Sequence, residues 1–518
     1  MPFFDFHLHP SLKAQFSGPA DKPSPWDPVL MQFRDPDLLL RILKCQGINE
    51  IVDSQASLSQ LIQGGVNLVT IALHPPESAM MRDGLIQKIA EEEQTRYINN
   101  EKVDEIGTGN IYFRLLNEEL DHLEANLENR GRKLRLIRHI GEYDESDMQT
   151  IHAILSVEGP HAFYGNRDGK TFEEIMTDFR ENFRQFTRER KVRIFSMNIA
   201  HLQDNDFCNH AFGIQVFRPE PFFPSGRLIS EEGLRLLLAM KAEKILCDIK
   251  HTSFATRQQL FSMQLHGSDW PLVCTHAGLT GIHSGNRYRY FLHSRSFGNG
   301  YLRVKHYKPR GYLDGTSFNA SSINLYDDDV VAIIRSGGLI GLSMDQRILG
   351  TPEEGMLSPG YPDELFEQEV ISPGERDLFR DRSLNRDPLP PEAVLKTEDI
   401  QTADRQNSIR YHARHFLNQV FHLFVIARLY DIPATTMAER ICIGSDFDGM
   451  INPVDCCRDV TELGVFKSLL QENFMRWEEE FSSHHANGFR VSDLVSPPEL
   501  LDLIFYGNGL GFLRRWYT

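Results

Sequence analysis

The chain has 518 residues, with 55 Lys and Arg against 72 Asp and Glu, a formal charge of −17. Apolar residues make up 41% and aromatics 10%, which excludes a disordered chain and supplies a large core. The acidic balance, with no basic block, argues against nucleic acid or an anionic membrane as the main partner.

Eight short β-type runs recur along the chain, at residues 3–9, 66–74, 151–158, 192–198, 244–251, 271–276, 338–344 and 441–446. Most are continuously apolar and rich in Val, Ile and Leu, the pattern of strands buried on both faces of a parallel sheet. Helical patterns separate them. One is expected over 28–44 after strand one, one over 172–190 before strand four, one over 327–335 before strand seven and one over 408–430 before strand eight. Ser230 is placed to cap a further helix, with Glu231 and Glu232 in its first turn. Eight strands alternating with helices predict an α/β fold, a (β/α)8 TIM barrel. A doubly wound open sheet competes, but no Gly-rich phosphate loop follows an early strand. A rule of about 150 residues per domain would divide the chain further, yet such barrels run as single units to over roughly 400 residues.

Two long stretches exceed a minimal barrel: 277–323 after strand six, rich in Arg, Tyr, His and Gly, and 347–403 after strand seven, rich in Pro and acidic residues. Loops of this length without evident structure are expected to be lids, oligomer contacts or disordered segments. No apolar run reaches the 18 or so residues of a membrane span. No basic segment followed by a long apolar one opens the chain, and no apolar tail closes it. The seven cysteines form no CxxC pair, and Cys45, Cys247, Cys274 and Cys442 lie in or beside apolar segments. They read as reduced thiols of a cytoplasmic protein without a membrane.

The candidate site residues all stand at strand ends. His7 and His9 end strand one two residues apart, so in a strand their imidazoles point the same way. Glu158 ends the apolar strand three, where an unpaired carboxylate is costly to bury. His251 ends strand five and His276 ends strand six. Four imidazoles and a carboxylate able to bridge suit a binuclear divalent site, with zinc favoured by the ligand types. Asp446 ends strand eight, placed to take a proton from activated water. Asp448, in Asp448-Gly449, reads as a turn residue. His201 follows strand four and can donate a hydrogen bond to a developing oxyanion.

At these residues the chain resembles the amidohydrolase superfamily, and within it the renal (membrane) dipeptidase family. The most specific segments are Val157-Glu158-Gly159, the stretch from Cys247 to Ser253 containing Lys250-His251, and Gly444-Ser445-Asp446-Phe447-Asp448-Gly449. Asn508, in Gly507-Asn508-Gly509-Leu510, resembles the family's closing helix. The resemblance implies a binuclear zinc hydrolase. His7 and His9 would hold one metal, His251 and His276 the other, and Glu158 both. Asp446 would be the acid/base, and His201 would contact the tetrahedral intermediate. It implies a dipeptide or other small-molecule substrate, and homo-oligomer formation is an expectation of the same origin.

Two departures stand out. The family has His-x-Asp at strand one, whereas this chain has His-x-His. The family's carboxylate-binding Arg is replaced by Ile323, with Arg287, Arg289, Arg295 and Arg303 as candidate substitutes. A lactone, an N-acyl compound or a cyclic amide is therefore an alternative substrate, and a catalytically inactive metal-binding barrel is the second alternative.

Overall fold

The computed structural model describes residues 2–43, 47–213, 220–351, 366–379, 393–394, 407–484 and 488–518. Eight strands form one parallel ring in chain order: β1 Phe3–Leu8, β2 Val66–Leu73, β3 Thr150–Val157, β4 Ile194–Asn198, β5 Leu246–Asp248, β6 Leu272–Ala277, β7 Leu339–Leu342 and β8 Ile441–Ile443. Each pairs in parallel with the next. A parallel bridge from Leu8 to Phe447 joins β1 to the stretch after β8. Asp446 N donates to His7 O and His9 N to Phe447 O, both at 2.9 Å. The TIM barrel expected from the alternating pattern is therefore present.

The ring is narrow where glycines occupy it. A Cβ on Gly444 would lie 1.7 Å from the Thr275 carbonyl oxygen, so only glycine lets β8 approach β6 here. The last helix, Asn508–Trp516, packs Phe512 against Phe6 and Phe195. Asn508 donates to the Ala438 and Ile441 carbonyls at 2.6 and 2.7 Å and so anchors the start of β8.

The helices expected before β7 and β8 span Asp327–Arg335 and Ser408–Leu429. The helix expected before β4 spans Phe172–Arg184 and continues as one wider turn to Glu189. Ser230 caps Glu231–Ala242 by accepting from Gly233 N. The helix expected over 28–44 is shorter, Pro36–Leu43. Upstream of it, Val29 N and Met31 N donate to Ser54 Oγ and Asp53 Oδ1, bonds that hold this segment out of a helix. Lys44 and Cys45 lie outside the described residues, whereas Cys247, Cys274 and Cys442 are buried free thiols. No helix among the described residues is long and apolar enough to cross a membrane.

The two insertions are not structureless, which corrects the reading of them as loops. Tyr301–Tyr307 pairs antiparallel with Phe291–Phe297 of the same insertion and with Phe366–Ile371 of the other. Leu302, Val304 and His306 alternate into a small core with Phe254, Tyr326, Ile371 and Phe379. Of the second insertion, residues 352–365, 380–392 and 395–403 lie outside the described set.

Buried polar ties fix this small sheet to the barrel mouth. Glu369 Oε2 accepts from Ser322 N at 3.1 Å and Ser322 Oγ at 2.7 Å, while its Oε1 meets His306 Nε2 at 2.7 Å. Arg257, 1% exposed, donates to Asp329 at 2.9 Å and to the carbonyls of Thr252, Ser322 and Asn324. The segment carrying Ile323 is thus clamped on both sides. Replacing Arg257 by Met would leave the buried Asp329 carboxylate with only the Tyr326 N hydrogen bond and no positive partner, and three carbonyls without this donor. We expect a loss of about 3–5 kcal/mol in urea unfolding, and a loss below about 1 kcal/mol would contradict the clamp.

Candidate metal centre

The residues singled out at the strand ends meet at one mouth of the barrel. His7 Nε2 and His9 Nε2 lie 3.1 Å apart, and His251 Nε2 and His276 Nε2 lie 2.9 Å apart. Glu158 stands between the two pairs. Its Oε1 is 3.5 Å from His7 Nε2, 3.4 Å from His251 Nε2 and 3.6 Å from His276 Nε2, and its Oε2 is 3.3 Å from His9 Nε2. All five side chains are buried. The sets His7–His9–Glu158 and Glu158–His251–His276 each bring one donor atom per residue close enough to hold a cation.

Neighbouring polar groups orient the rings. His9 Nδ1 meets the Ala72 carbonyl at 3.0 Å, which fixes the proton on Nδ1 and turns the Nε2 lone pair inward. His7 Nδ1 and His276 Nδ1 both approach Thr275 Oγ1, at 2.9 and 3.1 Å, and that hydroxyl donates to Asp248. Backbone strain re-aims two of the side chains: His251 and Asp446 sit at φ +65° and +66°, uncommon for residues other than glycine.

Asp446 Oδ1 lies 3.4 Å from His9 Nε2. Asp448 points away, its carboxylate accepting from Gln55 N, Ala56 N and Lys13. His201 Nε2 is 3.5 Å from Glu158 Oε1, and its Nδ1 donates to Glu77 Oε1 at 2.7 Å. All seven expected site residues are therefore brought together.

Sequence reasoning passed over several others. His74 follows β2, with Nδ1 3.6 Å from Glu158 Oε2 and Nε2 3.6 Å from Glu77 Oε2. Its signal was present, since it too ends one of the β-type runs, 66–74. Glu77, fully buried, and His161 had no such signal, because Glu77 precedes the helix Ser78–Asp83 and His161 sits in the single tight helical turn Pro160–Phe163, and only the fold brings them inward.

Protonation follows this crowding. Burial alone would raise the Glu158 carboxyl, but the imidazoles of His201, His7 and His251 hold it well below the ordinary range. Burial lowers His9, yet Asp446 and Glu158 outweigh it and push His9 up to about 10. Burial, with His201 beside it, takes His74 down to about 3. Burial and neighbouring positive groups likewise depress His251 and His276. Against burial, Glu158 and Glu77 raise His201.

The donors fit a pair of divalent cations. Glu158 Oε1 is buried with no hydrogen-bond partner, and imidazole lone pairs converge on it from both sides. Neutral nitrogen donors with a shared carboxylate are a ligand set for such ions.

The mouth opens into a cleft. Its walls are largely apolar, including Ile323, Ile348, Phe222 and Met450, with Lys250, Asp345 and Arg347 among the polar lining. None of Arg287, Arg289, Arg295 and Arg303 lines it. Arg287 donates to the Ser284 and Leu378 carbonyls and lies over Phe254, while Arg295 and Arg303 are exposed on the small sheet.

No family model matches the chain, and no curated protein matches it. Among solved structures it is similar to a metallo peptidase from Rhodobacter sphaeroides liganded with a phosphinate mimic of the dipeptide L-Ala-D-Ala. That match has 16% identity and a TM-score of 0.48 over 100% of this chain and 99% of the other. The dipeptidase AC, a metallo peptidase, matches at 16% identity and a TM-score of 0.47, again over 100% and 99%. The probable dipeptidase PvdM from Pseudomonas aeruginosa matches at 12% and 0.43, over 90% and 89%.

Because His9 holds a proton up to about pH 10 beside Glu158, a cation must displace it. Divalent metal affinity should therefore rise with pH between 5 and 8, with net proton release in calorimetric titrations across buffers of different ionisation enthalpy. A pH-independent affinity with no proton release would contradict this arrangement.

Proposed function

We propose that the cleft is the active site of a binuclear metal-dependent hydrolase cleaving an amide bond in a small, dipeptide-like substrate. The observation that supports it most is the pair of imidazole couples facing one buried carboxylate at the barrel mouth. The resemblance of the strand-end segments to the renal dipeptidase family agrees with it. In this reading His7 and His9 hold one metal, His251 and His276 the second, and Glu158 both, with zinc the favoured ion. When bound, such ions supply Lewis acidity and a lowered water pKa.

The protein's own groups do the rest. Asp446, at the edge of the cluster and facing the cleft, accepts a proton from the attacking water and returns it to the leaving amine. His201 gives its Nδ1–H to Glu77, and its raised proton affinity keeps Nε2–H as well. That second proton is directed toward the cluster, where it stabilises charge developing on the scissile carbonyl oxygen. Glu77 fixes the ring by accepting from Leu202 N as well, at 3.0 Å.

A second reading keeps this chemistry and changes the substrate. Ile323 and Ile348 on the cleft wall present hydrocarbon to the ligand, which favours an N-acyl compound or cyclic amide with a large apolar part.

The test is metal-loaded protein on a panel of dipeptides, N-acyl amino acids, lactams and lactones. Turnover of at least one amide is expected, with Asp446→Asn lowering kcat roughly 10²–10⁴-fold while metal content is kept. Metal-replete protein inert on the whole panel would refute the hydrolase reading.

A further inference from the structure

Lys250 stands one residue before His251, just past the end of β5. Its side chain is 2% exposed, and its Nζ makes no hydrogen bond. The residue lines the same cleft as Glu158, His201, His276 and Asp446. A buried ammonium without a partner is unfavourable for the free protein, so its presence beside a ligand cleft points to something bound there.

The carboxylates nearby are otherwise engaged. Asp345 meets Arg347 Nη2 at 3.0 Å and accepts from Arg347 N at 2.8 Å. Asp248 accepts from Thr275 and from the backbone N of Lys250 itself. Glu158 faces the imidazoles, and Asp446 faces His9. None of these comes within ion-pair distance of the Lys250 ammonium. Meanwhile Ile323, Ile348 and Phe222 give the cleft an apolar wall, and Arg347, the other Lys or Arg among its described lining residues, is paired with Asp345.

We propose that Lys250 is the anion anchor of the cleft, binding the free carboxylate of a small carboxylated substrate whose hydrocarbon side chain lies against Ile323 and Ile348. This rests on the reading of the cleft as the substrate site of a hydrolase. The anchor then stands at the end of β5, and the segment before β7 contributes packing. A single ammonium is a point charge without the two-pronged geometry of a guanidinium, so other monoanions of similar size should bind as well.

The test compares N-acetyl-leucine with the uncharged N-acetyl-leucinamide, by calorimetry on metal-free and metal-loaded protein. The wild type should bind the acid at least about tenfold more tightly than the amide in both forms. Lys250→Met should abolish that ratio, and Lys250→Arg should keep part of it. Removing a buried, unpaired charge should also leave the Lys250→Met melting temperature equal to or above that of the wild type. An unchanged acid-to-amide ratio in Lys250→Met would overturn the proposal. So would a preference for the acid only when metal is loaded, or a marked fall in melting temperature. The ratio is read at equilibrium, so it is decided even where the hydrolytic reading fails for want of turnover.

Discussion

A single buried carboxylate organises the barrel mouth. Glu158 ends β3 with almost no exposure, and the imidazoles of His7, His9, His74, His201, His251 and His276 gather around it from five other strand ends. Burying that charge among neutral rings is costly unless positive charge is supplied. The rings cannot supply it all as protons, because each proton bound raises the cost of the next. His9 is held protonated while His74, His251 and His276 are driven neutral. Divalent cations held by the neutral rings would satisfy the carboxylate, and the polar contacts behind the rings orient lone pairs toward it.

The insertions bear on the same mouth through a separate set of buried contacts. Glu369 holds Ser322, and Arg257 holds the carbonyls of Ser322 and Asn324, so Ile323 is presented between two fixed neighbours. Glu375 accepts from Ala255 N and Ser253, tying the second insertion to the start of the helix after His251. The candidate site residues thus sit at the ends of seven of the eight strands. The shape of the cleft is set by the loops between them, the division of labour usual for barrels of this kind.

Much of this was legible in the sequence because burial on both faces leaves a simple signature. Runs such as Val66–Leu73 and Thr150–Val157 are buried throughout and mostly apolar, and a His or Glu just past their ends stands at the mouth of the barrel. The five proposed ligands, Asp446 and His201 were found that way. His74 carried the same signature, at the end of the run 66–74, and was passed over. Glu77 and His161 depend on chain paths that no periodicity encodes. The small sheet was missed for a related reason: its central strand pairs across more than sixty residues with Phe366–Ile371. Its alternation of Leu302, Val304 and His306 with polar neighbours was nevertheless present. Over 28–44 the polar ties to Ser54 and Asp53 overrode a helical pattern.

The central claim is that Glu158 is shared by two cations, each also held by one histidine couple. Crystals grown with zinc and measured on both sides of its absorption edge test this directly. The account predicts two anomalous peaks, one against His7 and His9 and one against His251 and His276, with Glu158 touching both. A single peak, or peaks that leave Glu158 without a metal contact, would contradict it.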